Sequence, residues 1–113
     1  MLFRSEVASY EGGIEVDGNK IQVLAEREPL KLPWDKLRID VVIESTGFFT
    51  KVEDAQMHVK AGAKRVVVSA AIKNDENNPA AGNFLIGVNE QDLASQQVIS
   101  NQSCTTNCIT PIA

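Results

Sequence analysis

The residues best suited to chemistry lie near the carboxyl end of the chain, in the run Asn101-Gln102-Ser103-Cys104-Thr105-Thr106-Asn107-Cys108. Cys104 stands where a predicted strand passes into a predicted helix, and the N–H groups and positive end of a helix stabilise a thiolate. Such a thiolate can attack a carbonyl, and the same N–H groups can hold the oxyanion that forms. The hydroxyls of Ser103 and Thr105 could bind an anionic substrate group such as phosphate. A second interpretation is a buried cysteine packed as a small apolar side chain, with the hydroxyls acting only as helix caps.

The second cysteine, Cys108, lies four residues after Cys104 and would share a helix face with it. A disulfide between them would strain the helix, so we favour a packing role for Cys108, with an oxidation partner for Cys104 as the alternative. A structural zinc ion needs four ligands, and the one histidine, His58, is distant in sequence. We therefore predict no metal site, and we place His58 on the solvated face of a helix without a catalytic role.

The composition of the chain excludes several classes of protein. Its 113 residues, 43% hydrophobic and 23% charged, suit one modest globular domain. Eleven Lys and Arg residues against fifteen Asp and Glu residues give a formal net charge of −4, which argues against general binding to nucleic acids. No apolar run approaches the roughly 20 residues of a membrane span, and the amino end lacks an apolar signal core. We expect a cytoplasmic protein without a nucleic-acid or membrane partner.

The elements that must position these residues begin with a predicted hairpin. Residues 1–7 are weakly helical, and Asp17-Gly18 between two apolar stretches is a strong hairpin signal. The nearly continuous apolar run 39–44 is typical of a strand that is covered on both faces in a parallel sheet. A turn follows that strand at its carboxyl end.

A helix and a second strand complete a predicted βαβ unit. Thr50 and Glu53 have the spacing of a capping box at the start of a helix, and Gly62 is suitably placed at its end. The apolar run 65–69 that follows predicts a second buried strand. Strand, helix and strand within about thirty residues predict a right-handed, parallel βαβ arrangement.

The remainder of the chain predicts a loop, two strands and the start of a helix. The polar segment 73–82 is typical of a surface loop, and the apolar runs 84–88 and 98–100 predict strands. A helix is predicted to begin after Ser103 and stops after two or three turns without a C-cap. We therefore expect the natural fold to continue beyond this chain.

The cysteine segment, Ser-Cys-Thr-Thr-Asn-Cys shortly after Val-Ile-Ser-Asn, closely resembles the active-site segment of glyceraldehyde-3-phosphate dehydrogenases. Five further segments look like family segments in family order, at 25–29, 32–34, 41–47, 62–66 and 87–90. The resemblance implies an α/β fold, with a partial doubly wound, Rossmann-like sheet and the start of the catalytic-domain helix. It implies a boundary after residue 100, with 1–100 as the C-terminal portion of the NAD(P)-binding domain and 101–113 as the start of the catalytic domain.

The resemblance also implies a reaction, in which glyceraldehyde 3-phosphate is oxidised with NAD, or NADP, and inorganic phosphate to 1,3-bisphosphoglycerate. Cys104 matches the nucleophile that forms a thiohemiacetal. Hydride transfer to the nicotinamide then gives a thioester, which phosphate cleaves. Ser103 and Thr105 match hydroxyl-bearing positions that bind the substrate phosphate.

Cofactor-binding residues are implied in the same way. Arg27 matches an arginine beside the adenine end of the cofactor, and Ser45, Thr46 and Gly47 match a turn lining the cofactor cleft at the carboxyl end of a strand. Ser69 matches a cofactor-contacting position in a Ser-Ala-Pro segment, although this sequence reads Ser-Ala-Ala there and has a longer loop after it. A solvated loop arginine and a plain turn are the alternatives for the first two sites.

Several parts of the family pattern are missing from the sequence. No G-x-G-x-x-G run occurs, so the pyrophosphate cradle and the ribose-binding acid are absent and the choice between NAD and NADP stays open. The family's catalytic histidine lies beyond the nucleophile, so we expect a fragment of a homotetrameric enzyme that is inactive alone. The alternatives are erythrose-4-phosphate dehydrogenase, which shares the cysteine segment, and a non-catalytic remnant that binds adenine nucleotide or senses oxidants through Cys104.

Overall fold

Two sheets organise the residues that the computed structural model describes, 4–73 and 81–113. The first sheet is an antiparallel meander of β1 (Val7–Tyr10), β2 (Gly13–Val16) and β3 (Asn19–Gln22). Asp17 and Gly18 connect β2 to β3 with φ of 49° and 81°, as a two-residue hairpin turn requires. The hairpin prediction is therefore confirmed. The expected helix over 1–7 is wrong where it can be compared, because β1 begins at Val7; residues 1–3 lie outside the described residues.

The second sheet is wholly parallel and carries the candidate site. Its strands are β4 (Val41–Glu44), β5 (Arg65–Val68), β6 (Ala81–Asn83) and β7 (Val98–Ser100), in the order β4-β5-β7-β6. The helix α1 (Val52–Lys60) connects β4 to its neighbour β5, so the βαβ prediction is confirmed. The core lies between α1 and this sheet, where Ala55, Val66 and Val98 are fully buried.

The two ends of α1 differ in how well the sequence predicts them. The capping box predicted at Thr50 and Glu53 is wrong, because the N-cap is Lys51 and no side-chain hydrogen bond caps the helix. Lys51 forms a β-bridge with Lys73, whose N–H donates to the Thr50 carbonyl at 3.2 Å, and this pairing keeps the chain extended for one residue longer. At the other end Gly62 has a φ of 113° and its N–H donates to the Val59 carbonyl at 3.0 Å, which confirms glycine as the helix terminator.

The region between β5 and β7 departs from the prediction. A strand expected over 84–88 is wrong: β6 lies earlier, in the segment predicted as a surface loop, of which 74–80 fall outside the described residues. Phe84 and Leu85 are buried just after β6, where the Phe84 N–H donates to the Ser100 carbonyl at 2.8 Å. A turn follows, in which the Val88 N–H donates to the Leu85 carbonyl at 3.1 Å. A 3₁₀ helix (Glu90–Ser95) leads into β7, which confirms the strand predicted over 98–100.

The parallel sheet is covered unequally on its two faces. Val42 and Glu44 are buried on the side of α1, whereas Val41 and Ile43 are exposed on the other side. Burial of this strand on both faces was therefore a wrong expectation, although the α/β class with a parallel sheet is confirmed. No helix among the described residues is long and apolar enough to span a membrane.

Candidate functional site

The sheet brings the predicted site residues to one edge. Strands β4, β5 and β7 are parallel, so the segments that leave their carboxyl ends lie on the same side of the molecule. Ser45 follows β4, Ser69 follows β5, and Cys104 comes four residues after the end of β7. Carboxyl edges of open parallel sheets are where such folds bind ligands, so the topology places these residues along the edge where a site is expected.

The turn after β4 is held by the last residue of that strand. The Thr46 N–H donates to Glu44 Oε1 at 2.8 Å, and the Thr46 hydroxyl donates to the same oxygen. The Phe48 N–H in turn donates to Thr46 Oγ1 at 3.2 Å. Gly47 has a φ of 77°, a conformation that glycine adopts without steric cost. The predicted turn 45–47 is therefore an ordered feature whose shape depends on Glu44.

Glu44 is itself buried and bound to a buried histidine. Both side chains are about 4% exposed, and His58 Nε2 lies 3.0 Å from Glu44 Oε2. The Trp34 indole N–H donates to His58 Nδ1 at 3.0 Å. The expected solvated position of His58 is thus wrong: α1 buries Val52, Ala55 and His58, which recur every three residues along one face.

Glu44 and His58 are not among the predicted site residues, but the sequence contains a signal for each. A carboxylate at the end of the apolar run 39–44, on the same face of the strand as Val42, is unusual, because a buried charge is retained only where partners satisfy it. The histidine lies three residues after Ala55 on the buried stripe of the helix. Read together, the two would have indicated a buried acid–histidine pair between β4 and α1.

A cleft of about 610 Å³ opens beside this pair. Two predicted cofactor residues, Arg27 and Thr46, line it together. The other lining residues are Glu26, Pro29, Leu32, Glu44, Phe48, Phe49 and His58. Apolar walls with a few convergent polar groups suit a planar aromatic ligand that also carries hydroxyl groups.

The guanidinium of Arg27 is available to a ligand. It forms no ion pair or hydrogen bond with any residue in the described ranges 4–73 and 81–113. The neighbouring carboxylates are engaged elsewhere: Glu28 binds Lys31 Nζ at 2.7 Å, and Glu26 accepts the Glu28 N–H at 2.9 Å. The hydrogen bond that Lys31 donates to Glu28 raises the pKa of Lys31, and the charges of Glu28 and Glu26 raise it further.

Ser69 lies outside this cleft. It lines a second groove, of about 480 Å³, on the sheet face away from α1, together with Ile43, Val67 and Asn101. Its N–H donates to the Glu44 carbonyl at 2.9 Å and so extends the β4–β5 pairing by one residue. The structure therefore separates Ser69 from Arg27 and Thr46, and a cofactor contact at Ser69 stays a prediction.

Cys104 is the first residue of α2 (Cys104–Ile109), as the sequence predicts. Ser103 is the N-cap, and its Oγ accepts the Thr106 N–H at 3.1 Å and lies 2.9 Å from Thr106 Oγ1. The helix-cap interpretation is therefore confirmed for Ser103, while Thr105 is exposed. Both cysteines are free and exposed, so the packing interpretation is wrong for Cys104 and also for Cys108.

The backbone has an unusual conformation two residues before Cys104. Gln102 has a φ of 63°, a conformation that costs free energy for any residue other than glycine and that clusters at functional sites. Two hydrogen bonds fix the neighbourhood: the Gln102 N–H donates to Ser100 Oγ at 3.0 Å, and Asn107 Nδ2 donates to the Asn101 carbonyl at 2.7 Å. The entry to α2 is thus held in one orientation.

The structure supports the predicted substrate-binding residues less than it supports Arg27 and Thr46. Ser103, Cys104 and Thr105 line neither the Arg27 cleft nor the Ser69 groove, and phosphate binding by Ser103 and Thr105 stays a prediction. Within the described part of the chain, no three His, Cys, Asp or Glu side chains are grouped so that they could hold a metal ion.

Comparison with known proteins gives consistent matches. Residues 1–52 match the family described as the NAD-binding domain of glyceraldehyde 3-phosphate dehydrogenase. A glyceraldehyde-3-phosphate dehydrogenase of Bacteroides fragilis and one of Clostridium pasteurianum are each 49% identical over 98% of this chain. Glyceraldehyde-3-phosphate dehydrogenase 1 of Kluyveromyces lactis is 44% identical over 98% of it. The matched portion is 32% of each relative, so the chain spans about a third of their length.

Proposed function

Since the chain belongs to the glyceraldehyde-3-phosphate dehydrogenase family, we propose that it supplies such an enzyme with a nucleotide cleft and a nucleophile. The complete enzyme would oxidise glyceraldehyde 3-phosphate in the presence of inorganic phosphate. We further propose that residues 1–100 contribute to its nucleotide-binding domain and 101–113 begin its catalytic domain. A cytoplasmic homotetramer belongs to the same proposal.

The observation that carries this proposal is the arrangement around the parallel sheet. The turn that contains Thr46 leaves β4, and the segment that contains Cys104 leaves β7, at the same carboxyl edge of that sheet. In an enzyme whose reaction uses both a bound nucleotide and a thiol, the two must lie close together, and a shared sheet edge allows this. The turn lies at this edge because β4 and β5 are parallel strands of a βαβ unit. The cysteine segment lies at the same edge because β7 is also parallel to β5.

The nucleotide is proposed to bind through its adenosine half. The apolar walls formed by Pro29, Leu32 and Phe48 would contact the base, and the Arg27 guanidinium would lie against its edge or face. These residues fit an adenosine group, and NAD in particular would supply the hydride acceptor for the oxidation of an aldehyde. NADP would fit the same described residues.

Cys104 is proposed to be the nucleophile. Its exposed Sγ, at the first position of α2, would attack the aldehyde carbon, and the carbonyl oxygen would become an oxyanion near the N–H groups of the first turn. After oxidation the acyl group would be held as a thioester. Inorganic phosphate would then cleave the carbon–sulfur bond, releasing an acyl phosphate and the thiolate. Ser103 and Thr105 would contact the phosphate groups.

Calorimetric titration of the 113-residue chain with NAD⁺ tests the cleft. We expect Arg27→Ala to weaken binding about tenfold, the size of effect typical of one charged contact. Arg4→Ala is the matched control, because Arg4 is an exposed arginine outside the cleft. Equal affinities for the two variants and the unaltered chain would remove Arg27 from the proposed site.

Two further functions can be separated by related measurements. Erythrose-4-phosphate dehydrogenase would show a preference for the four-carbon aldehyde when Cys104 acylation in the complete enzyme, with NAD⁺ as the hydride acceptor, is followed by mass spectrometry with both aldehydes. A remnant that only binds nucleotide or senses oxidants would take up NAD⁺, or oxidise at Cys104, without acylation by either aldehyde. The exposure of both thiols is the observation that keeps the redox function in consideration.

A further inference from the structure

A series of hydrogen bonds runs from a loop, through the helix, to the turn at the sheet edge. Trp34 Nε1 donates to His58 Nδ1 at 3.0 Å, His58 Nε2 lies 3.0 Å from Glu44 Oε2, and Glu44 Oε1 accepts the Thr46 N–H at 2.8 Å. Trp34, His58 and the pair Glu44 and Thr46 belong to three different segments of the chain. Trp34 and Thr46 are thereby linked through two intervening side chains.

The indole at one end determines the state of the histidine. An indole N–H can only donate a hydrogen bond, so His58 Nδ1 must accept and cannot carry a proton while this bond exists. The ring hydrogen must then lie on Nε2, from which it donates to Glu44 Oε2. His58 is therefore fixed as the neutral Nε2–H tautomer. In the other tautomer the hydrogen on Nδ1 would face the indole N–H of Trp34, so two donors would oppose each other.

Both oxygens of the carboxylate at the centre of the series accept hydrogen bonds. Glu44 is an acceptor, and it receives the His58 ring N–H, the Thr46 backbone N–H and the Thr46 hydroxyl. The same hydroxyl oxygen accepts the Phe48 N–H at 3.2 Å. The donor of Thr46 is thus consumed within the protein. Ser45 is exposed, and its hydroxyl has no hydrogen-bond partner among the residues that the structure describes.

We propose that Glu44 and His58 are positioning residues for the nucleotide, and that Trp34 fixes the histidine tautomer that makes this positioning possible. Thr46 shapes the turn rather than donating its hydroxyl hydrogen to the ligand, because Glu44 accepts that hydrogen. This inference rests on the proposed function of the cleft, which Glu44, Thr46 and His58 all line.

The arrangement gives Glu44→Gln a specific consequence. A glutamine has one acceptor and one donor end, so its amide nitrogen faces either the donors of Thr46 or the ring N–H of His58. In the first case the Thr46 N–H loses its acceptor. In the second case His58 must move its hydrogen to Nδ1, which Trp34 opposes. Replacement of Trp34 by phenylalanine removes that opposition, so Trp34→Phe should rescue Glu44→Gln.

The unaltered chain provides the first test, because it has one histidine and one tryptophan. Nuclear magnetic resonance of the ¹⁵N-labelled chain should show His58 with a hydrogen on Nε2 and a bare, hydrogen-bonded Nδ1. A hydrogen on Nδ1 would overturn the inference. This measurement needs no variant and no nucleotide.

Amide hydrogen exchange provides the second test. In Glu44→Gln the Thr46 amide should exchange about tenfold faster, whereas the double variant Glu44→Gln with Trp34→Phe should regain most of the protection. The Val66 amide, which donates to the Gln97 carbonyl at 2.8 Å within the sheet, is the internal control for the fold. Additive effects of the two substitutions, or unchanged exchange at Thr46, would overturn the positioning role.

Titration with NAD⁺ separates this inference from the proposed function. Affinity should fall about tenfold in Glu44→Gln and recover in the double variant, in parallel with exchange at Thr46. A normal affinity in Glu44→Gln despite faster exchange would overturn the role toward the nucleotide. Failure of the unaltered chain to bind NAD⁺ would overturn the proposed function of the cleft, and with it the nucleotide as the ligand positioned, while the exchange data would still decide whether Glu44 holds the turn.

Discussion

Val42 and Ile43 are neighbours in β4 that face opposite sides of the parallel sheet, with exposed fractions of 8% and 71%. Val42 lies in the core cluster with Val66 of β5 and Val52 of α1. Ile43 pairs in register with Val67, which pairs with Ile99. Three apolar side chains therefore form a row across the less covered face.

This contrast predicts that two adjacent truncations lower the free energy of unfolding by unequal amounts. Val42→Ala should lower the free energy of unfolding by roughly 1.5–2 kcal/mol, because about two buried carbons are lost and a cavity is left. Ile43→Ala removes more atoms but should cost less than about 0.5 kcal/mol, because the side chain is already largely in water. Urea unfolding of both variants measures the difference. A larger cost at Ile43 would mean that its face is covered in solution.

A second prediction concerns the turn at Gly47. An alanine there must adopt a φ of 77°, which costs about 1–2 kcal/mol for a residue with a Cβ. Gly47→Ala should therefore lower stability and also weaken NAD⁺ binding. Gly87→Ala is a matched control, because Gly87 has a φ of 86° and, like Gly47, open space where a Cβ would lie, yet it is outside the turn that carries the cleft residue Thr46. Equal loss of affinity in the two variants would show that the effect comes from stability alone.

The two cysteines should differ in reactivity although both are exposed. Cys104 is the first residue of α2, beside first-turn N–H groups that have no partner within the helix, and Cys108 is in the last turn, beside the terminal carbonyl groups. Iodoacetamide should therefore modify Cys104 several-fold faster, as followed by mass spectrometry over time. Cys104→Ser and Cys108→Ser isolate each thiol in turn. Equal rates, or faster modification of Cys108, would contradict the assignment of the nucleophile.

The N-cap at Ser103 leads to a fourth prediction. Ser103→Ala removes the acceptor of the Thr106 N–H and should destabilise α2 by about 1 kcal/mol, whereas Ser103→Asp should keep the cap. The aspartate would also place a negative charge beside the proposed phosphate site. In the complete enzyme, with NAD⁺ as the hydride acceptor, acylation of Cys104 by glyceraldehyde 3-phosphate should then slow more than its acylation by uncharged glyceraldehyde. Equal slowing with both aldehydes would remove Ser103 from phosphate binding.

The local parts of the fold are predictable from sequence because short-range rules decide them. Asp17-Gly18 adopts positive φ values as few other pairs do, and Gly62 ends α1 for the same reason. The entry to α2 follows from the capping preference of Ser103. In each case the determining residues lie within a few positions of the feature that they specify.

Long-range contacts decide the parts that sequence analysis predicted wrongly. The start of α1 depends on the bridge between Lys51 and Lys73, and no local pattern encodes that pairing. Similarly, β6 consists of Ala81, Gly82 and Asn83, which have low strand propensity and are extended only because they pair with β7. The buried position of His58 depends on Glu44 and Trp34, which are 14 and 24 residues away.

The single indole of the chain has a spectroscopic consequence. All tryptophan emission must come from Trp34, whose N–H is bound to a buried imidazole rather than to bulk water. A change in the packing of α1 against the loop before β4 will therefore alter the wavelength and intensity of that emission without any added label. The molecule thus contains its own optical probe of the helix that holds the turn.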